Sequence, residues 1–91
     1  MKYTVKPSSL FKKDYKIAIK RGYDITLLLE AIEILAEGKP LPAKHKDHVL
    51  KGKYRGYNEC HITPDWLLIY KIEADMLILA LTRTGTHSDL F

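Results

Sequence analysis

Four histidines lie among the residues of this sequence that could carry acid–base chemistry. His45 and His48 belong to the basic stretch KHKDHVLKGK, His61 ends the segment YNECHI, and His87 lies in the closing stretch RTGTHSDLF. Histidine donates or accepts protons near neutral pH because its unperturbed pKa is about 6.5. The pattern therefore raises the question of which reaction needs several imidazoles close to many cations.

A metal site is the first alternative, and the spacing of the possible ligands argues against it. His45 and His48 are three residues apart, but the sequence contains no CxxC or HExxH pattern. Cys60 and His61 are adjacent in a predicted strand, so their side chains point to opposite faces. A cysteine inside a strand is most often a small core residue. We therefore expect neither a metal nor another cofactor.

Cleavage of RNA by its own 2′-hydroxyl fits these residue types better. The reaction needs a base for the 2′-hydroxyl, an acid for the departing 5′-oxygen and cations for the phosphorane. Histidine can fill both proton-transfer roles, and an arginine such as Arg83 can stabilise the added charge. Basic and aromatic side chains could hold phosphates and stack on bases. The expected substrate contacts are Lys46, Lys51, Lys53, Arg55, Trp66 and Phe91.

The length and charge of the chain limit the number of domains, the kind of partner and the location of the protein. A chain of 91 residues predicts one domain, residues 1–91. Residues 1–56 hold 13 Lys and Arg against 6 Asp and Glu, whereas residues 57–91 hold 2 against 5. The basic half suggests a polyanion or an acidic protein partner, although a solvated helix face with basic loops explains it equally well. The absence of a long apolar run, of a signal peptide and of a second cysteine beside Cys60 leads us to expect a cytoplasmic protein without a membrane segment.

Two helices are predicted to follow a short first strand. Residues 3–7 form the strand, which Pro7 ends, and the helices extend to Gly22 and from Asp24 to Gly38. A turn of about three residues between them predicts an antiparallel hairpin. Their apolar stripes consist of Phe11, Tyr15 and Ala18 and of Ile25, Leu28, Leu29, Ile32 and Leu35.

The second half of the chain predicts a sheet. Residues 39–56 form a basic loop, with a short strand near residues 49–50 as one option, and residues 57–62 form the next strand. Residues 66–72 and 76–83 form a hairpin of two central strands, because nearly every position in them is apolar. We therefore expect an α+β fold of order β-α-α-β-β-β, in which the helical hairpin packs on one face of a small antiparallel sheet. The strand ends would then bring together His61, Asp65, Trp66, Arg83 and His87.

Three motifs give the chain a family resemblance. They are KDHVLKGKYRGYNECHI at residues 46–62, PDWLLIYKI at residues 64–72 and RTGTHSDLF at residues 83–91. In these motifs the chain resembles the YafQ branch of the RelE/ParE superfamily, the toxin halves of bacterial toxin–antitoxin pairs. The resemblance implies a RelE-like fold, metal-independent cleavage of mRNA in the ribosomal A site, and an acidic antitoxin that wraps the toxin in a hetero-oligomer.

The resemblance also implies a set of site residues. The positions that match the family pattern are His48, His61, Asp65, Trp66, Arg83, His87 and Phe91. We expect His87 on a flexible tail bent at Gly85 to be the general acid, and His48, supported by Asp65, to be the base, with His61 next in line. Glu59 stands where related proteins can carry Asp, so its role is left open. His45 is expected to be an exposed residue that is inert or contacts phosphate.

Two other functions remain open at the level of sequence. ParE-like members of the same superfamily act on DNA gyrase and are not ribonucleases, and fold alone does not separate the two activities. The histidine set favours the nuclease. The third possibility is a non-catalytic module that binds RNA or an acidic partner, in which case His87 would be dispensable.

Overall fold

The computed structural model describes residues 1–91 as a five-stranded sheet with two helices on one face and a one-turn helix at the C-terminus. The elements in chain order are β1 (Thr4–Pro7), α1 (Ser9–Lys20), α2 (Ile25–Ala36), β2 (His48–Val49), β3 (Asn58–Thr63), β4 (Trp66–Glu73), β5 (Ile78–Gly85) and α3 (His87–Leu90). Short 3₁₀ turns span Ala43–His45, Gly52–Tyr54 and Ala74–Met76. The predicted α+β class with a helical hairpin is confirmed. None of the helices is long and apolar enough to cross a membrane.

The sheet is mixed, and this corrects one expectation. Its strand order is β1-β5-β4-β3-β2, and every neighbouring pair is antiparallel except β1 and β5, which run parallel with Thr4 opposite Ile78. The prediction of a wholly antiparallel sheet is therefore wrong for β1. A parallel pair needs a long connection between its strands, and everything from α1 to β4 lies between β1 and β5. Pro7 lacks an N–H group, which suits an edge strand.

Both long helices lie within the limits that the sequence predicts, and each is capped at its N-terminus. Ser8 caps α1 by accepting a hydrogen bond from the Phe11 N–H at 3.0 Å, and Asp24 caps α2 by accepting one from the Thr26 N–H at 3.1 Å. Such caps satisfy backbone donors that the first helical turn leaves unpaired. Gly22 follows α1 with a φ of 77°, a left-handed conformation that glycine adopts without strain.

The central strand β4 is buried on both faces. Trp66, Leu68 and Tyr70 pack against the helices, whereas Leu67 and Ile69 belong to a smaller cluster on the other face. The side chains that complete this smaller cluster are Tyr54, Leu90, Leu50 and Tyr57. This confirms the prediction that the helices cover one face and that other residues cover part of the second.

A buried aspartate joins α1 to the open edge of β5. Strand β1 ends opposite Leu81, so beyond that point β5 pairs only with β4, and its N–H groups on the β1 side have no partner strand. Asp14 accepts hydrogen bonds from the Thr84 N–H at 3.1 Å and from Nε and Nη2 of Arg83 at 2.8 and 3.1 Å. These bonds to a carboxylate raise the pKa of Arg83. Asp14 thereby satisfies a backbone donor and fixes the guanidinium at once.

Replacing this aspartate should destabilise the fold. Asp14→Ala leaves the Arg83 charge and the Thr84 N–H without partners in a largely buried place, so we expect the free energy of unfolding to fall by about 3 kcal/mol. Urea denaturation measures the change. Asp75→Ala, which alters an exposed carboxylate in the β4–β5 turn, is the matched control, and an equal effect of the two substitutions would contradict the assignment.

Candidate active site

Four residues from different strands form one row across the sheet. His48 lies opposite Glu59, Glu59 opposite Ile69, and Ile69 opposite Arg83. Residues directly opposite each other point to the same face, and Ile69 packs with Tyr54 on the side away from the helices. We call this surface, defined by His48, Glu59, Ile69 and Arg83, the site face. Two strand spacings, roughly 10 Å, separate Glu59 from Arg83 along the row.

At one end of the row a carboxylate lies between two imidazoles. Oε1 of Glu59 is 3.4 Å from Nε2 of His48 and 3.8 Å from Nε2 of His61. The Glu59 side chain is only 8% exposed, compared with 49% for His48 and 26% for His61. A substrate would therefore meet His48 first, with Glu59 behind it.

Backbone carbonyls determine which nitrogen of each ring carries the proton. Nδ1 of His48 lies 2.7 Å from the Lys46 carbonyl oxygen, and Nδ1 of His61 lies 3.3 Å from that of Pro64. A carbonyl oxygen can only accept, so Nδ1 is the donor in both rings. The two Nε2 atoms, which face Glu59, are then the positions at which a proton can arrive or leave.

The loop that carries His48 is tied to the central strand through Asp47. The Tyr70 hydroxyl donates a hydrogen bond to Oδ1 of Asp47 at 2.6 Å. Burial and this carboxylate together raise the pKa of Tyr70, which therefore stays a donor. The residue before Asp47, Lys46, has a φ of 46°, and this left-handed conformation directs its carbonyl oxygen to His48. Two hydrogen bonds thus fix the position of His48: the one between Tyr70 and Asp47, and the one between the His48 ring and the Lys46 carbonyl oxygen.

At the other end of the row the C-terminal residues form a docked helix. Thr86 accepts a hydrogen bond from the Asp89 N–H at 3.1 Å, and the Asp89 carboxylate accepts one from the Thr86 N–H at 2.9 Å, which is a capping box. Leu90 is 2% exposed. The expectation of a flexible tail is therefore corrected, because a cap and a buried anchor hold the final turn.

Gly85 matters to this helix because it has no side chain. Its φ lies outside the left-handed region, and a Cβ atom there would come within 2.9 Å of Oδ2 of Asp89. Any bend at Gly85 therefore does not use the left-handed conformation that favours glycine. The glycine instead lets α3 approach the end of β5 closely.

The aromatic groups of the tail form a stack beside Arg83. The ring of His87 lies parallel to that of Phe91 with their centroids 4.8 Å apart, and Phe91 meets Tyr54 edge-on at 5.6 Å. His87 itself is exposed. Asp14 occupies the Nε and Nη2 side of Arg83, which leaves Nη1 outside that ion pair. Tyr54, which Phe91 contacts, also lies next to the Arg83 side chain, so the stack and Arg83 share one end of the site face.

Two predicted site residues lie on the helical side of the sheet instead. Trp66 is 3% exposed, donates a hydrogen bond from Nε1 to Oγ1 of Thr84 at 2.9 Å and packs on Tyr23. It is a core residue, so the prediction that it stacks on substrate is wrong. Asp65 lines a cavity with Tyr23 and Asp24 and forms no ion pair with a histidine. The carboxylate beside His48 is Glu59, so the supporting role expected of Asp65 is also corrected.

His45 and Cys60 are structural residues. His45 is buried and its Nδ1–H donates to the carbonyl oxygen of His61 at 2.7 Å, so the expectation of an exposed side chain is wrong. Cys60 is fully buried, as predicted for a core cysteine. Burial, followed by the nearby carboxylates of Asp47 and Glu59, raises the pKa of the Cys60 thiol to about 12. A thiol of this kind does not supply a nucleophile at neutral pH.

The basic loop supplies cations around the stack. Its expected phosphate contacts are all exposed: Lys46, Lys51, Lys53 and Arg55. Nζ of Lys53 lies 5.3 Å from the centre of the Tyr54 ring. Sequence reasoning missed Tyr54, although an aromatic residue between Lys53 and Arg55 was a usable signal. It also set Glu59 aside, although the two-residue spacing from His61 places both on one face of a strand.

The docking of α3 should depend on pH. The pKa of Asp89 is held far below its usual value, first by the Arg21 guanidinium and then by the Thr86 N–H. A carboxylate with a depressed folded-state pKa stabilises the docked form above its unfolded pKa of about 4, and this stabilisation is lost as the pH falls further. We expect NMR signals of the Phe91 ring to shift towards undocked values on acidification below about pH 4. Asp89→Asn should remove this pH dependence, and identical titrations of the two proteins would contradict the account.

Comparison with known proteins places these features in a family. The profile described as "Bacterial toxin of type II toxin-antitoxin system, YafQ" matches residues 3–91. The mRNA interferase toxin YafQ of Escherichia coli strain K12 is 44% identical over 85 residues, covering 92% of this chain and 90% of that protein.

Two solved structures share the fold over nearly their whole length. A metal-bound toxin from Helicobacter pylori has a TM-score of 0.92 and 45% identity, covering 98% of this chain and 99% of that one. The toxin chain of the E. coli DinJ–YafQ complex has a TM-score of 0.89 and 41% identity, with 98% of both chains covered. The chain belongs to the YafQ family of toxins from bacterial type II toxin–antitoxin systems.

Proposed function

We propose that this toxin cleaves messenger RNA in the ribosomal A site, with proton-transfer groups on its site face acting on either side of one phosphate. The observation that carries the proposal is the distribution of imidazoles. His48 and His61 surround Glu59 at one end of the row, and at the other end His87 stacks on Phe91, which contacts Tyr54 next to Arg83. A base and an acid on opposite sides of phosphorus suit in-line displacement of the 5′-oxygen. The separation of roughly 10 Å between Glu59 and Arg83 leaves room for a phosphodiester with a hydrogen bond at each side.

His48 acts as the base in this proposal. Its Nε2 carries the free lone pair when Nδ1–H is bonded to the Lys46 carbonyl, and its ring is more exposed than that of His61. When Nε2 takes the 2′-hydroxyl proton, the ring becomes positive, and the Glu59 carboxylate 3.4 Å away stabilises that charge. His61 lies on the same carboxylate and can share or replace the role.

His87 acts as the acid, and Arg83 stabilises the phosphorane. The His87 ring is exposed and held in place by its stack on Phe91, so it can protonate the leaving 5′-oxygen. Arg83 keeps Nη1 outside its ion pair with Asp14 and can direct that group to a phosphate oxygen. The exposed cations of the basic loop hold the RNA backbone further out.

The reaction is proposed to proceed without a metal ion. The H. pylori relative is described as metal-bound, whereas this chain has no group of three or more His, Cys, Asp or Glu side chains arranged to hold a metal. The proton transfers described above need no Lewis acid.

An acidic antitoxin is the proposed partner of this toxin. The E. coli relative is found in a DinJ–YafQ toxin–antitoxin complex. In the present chain 13 of the 15 Lys and Arg residues fall within residues 1–56, which would attract an acidic polypeptide as well as ribosomal RNA. The complex would be a hetero-oligomer.

Replacement of His87 gives the sharpest test of the acid assignment. Loss of one proton-transfer group typically lowers a rate by about 10²–10⁴-fold. We therefore expect His87→Ala to slow cleavage by this factor while leaving the fold intact. The measurement is single-turnover cleavage on programmed ribosomes. Ser88→Ala, an exposed neighbour on the same helix, is the control and should cleave like the wild type.

A second substrate separates the acid from other roles. When sulfur replaces the 5′-oxygen, the leaving group needs no protonation, and His87→Ala should regain most of its rate. If the variant stays equally slow on the sulfur substrate, His87 is not the acid. If His87→Ala cleaves normally, His87 has no part in the reaction. If His87→Ala arrests growth normally and neither it nor the wild type cleaves mRNA, the chain is a binding module and the proposed reaction is wrong.

A further inference from the structure

We infer that the ion pair between Arg21 and Asp89 is the positioning device for His87, holding its ring where the leaving oxygen is protonated. Arg21 lies just after α1, and Asp89 lies in α3 two residues after His87. The inference rests on the proposed role of His87 as the acid. It assigns to Arg21 a part in the reaction without placing it in contact with RNA.

The helix that carries His87 cannot hold its own orientation. It consists of four residues, and one helical turn is unstable by itself in water. Leu90 anchors it to the small cluster on the site face. The stacking partner of His87 is Phe91, which belongs to the same short tail and is 53% exposed. A further contact must therefore set the angle at which the His87 ring is presented.

Asp89 supplies that contact. Its carboxylate accepts hydrogen bonds from Nη1 and Nη2 of Arg21 at 2.6 and 3.1 Å, in addition to the bond from the Thr86 N–H. A two-point bond between guanidinium and carboxylate fixes both distance and plane. The absence of a side chain at Gly85 gives Asp89 the room for it.

The other end of the pair is equally well fixed. Arg21 is the C-cap of α1, and α1 is held to β5 by Asp14 through its bonds to Arg83 and Thr84. Helix α1 therefore holds in position both Arg83, which stabilises the phosphorane, and His87, which supplies the proton. A shift of about 1 Å in such a ring can lower a rate by about 10²-fold.

The exposure of the pair separates positioning from stability. The side chains of Arg21 and Asp89 are 39% and 32% exposed, and exposed ion pairs add little to global stability. A substitution in the pair should then leave the denaturation midpoint almost unchanged and still slow the chemical step. A contact that only stabilises the fold would lower the denaturation midpoint and leave the rate of the chemical step unchanged.

The test compares Arg21→Gln with Lys20→Gln, which removes the same charge from the adjacent exposed position. Both are assayed on programmed ribosomes with ordinary mRNA and with the 5′-sulfur mRNA. We expect Arg21→Gln to cleave the ordinary substrate about 10-fold more slowly, with the same half-saturating ribosome concentration, and to cleave the sulfur substrate at the wild-type rate. Lys20→Gln should match the wild type on both.

Asp89→Asn provides an independent variant. It keeps an oxygen that can accept from the Thr86 N–H but loses the charge that pairs with Arg21, so it should show the same selective loss. The double variant should be no slower than either single variant, because both remove one interaction. Additive losses would overturn the inference.

The outcomes distinguish this inference from the proposed function. If His87→Ala is rescued by sulfur but Arg21→Gln is either unaffected or equally slow on both substrates, the positioning inference is overturned and the acid assignment stands. If His87→Ala is not rescued, the acid assignment fails and the inference fails with it.

Discussion

The carboxylate of Asp14 is the contact on which the rest of the molecule depends. Strand β1 is too short to cover all of β5, which leaves backbone donors exposed at the edge beyond Leu81. Asp14 closes this edge by accepting from the Thr84 N–H and the Arg83 guanidinium, and a buried charge of either sign is tolerated only when paired in this way. The same bonds set the position of α1 against the sheet.

From this contact the two ends of the site can be traced. Arg83 is fixed directly, and the tail that carries His87 is fixed through α1 and Arg21. The opposite end depends on the register of β2, β3 and β4, which places His48 and Glu59 in the same row as Arg83. Strands supply rigid spacing, whereas the loop and the tail supply exposed imidazoles. A proton-transfer site of this kind needs both.

The local features of the fold could be predicted from the sequence because short-range chemistry determines them. Ser8 and Asp24 cap helices by bonds to backbone donors three and two residues away, and the alternation of Leu67 and Leu68 follows from the pleat of a strand. The likeness of three motifs to a known family indicated the histidine set. None of these inferences needed knowledge of which strand pairs with which.

The errors arise where a distant partner decides the outcome. Trp66 is buried because Thr84, 18 residues away, accepts its N–H bond. Asp14 lies in a lysine-rich helix, so the sequence predicts an exposed residue, and only the open edge of β5 explains its burial. The parallel pairing of β1 depends on the path of the whole chain, and the buried position of His45 depends on a carbonyl at His61. No local pattern reports such partners.

The most direct test of the central claim is a cryo-EM structure of the toxin on a ribosome whose A-site mRNA carries a 2′-O-methyl group and cannot be cleaved. We expect Nε2 of His48 to lie within hydrogen-bond reach of the 2′-oxygen, and the His87 ring to lie at the 5′-oxygen on the other side of the phosphate. Arg83 should contact a non-bridging oxygen between them. A phosphate bound on the helical face beside Asp65, or both imidazoles on one side of phosphorus, would contradict it.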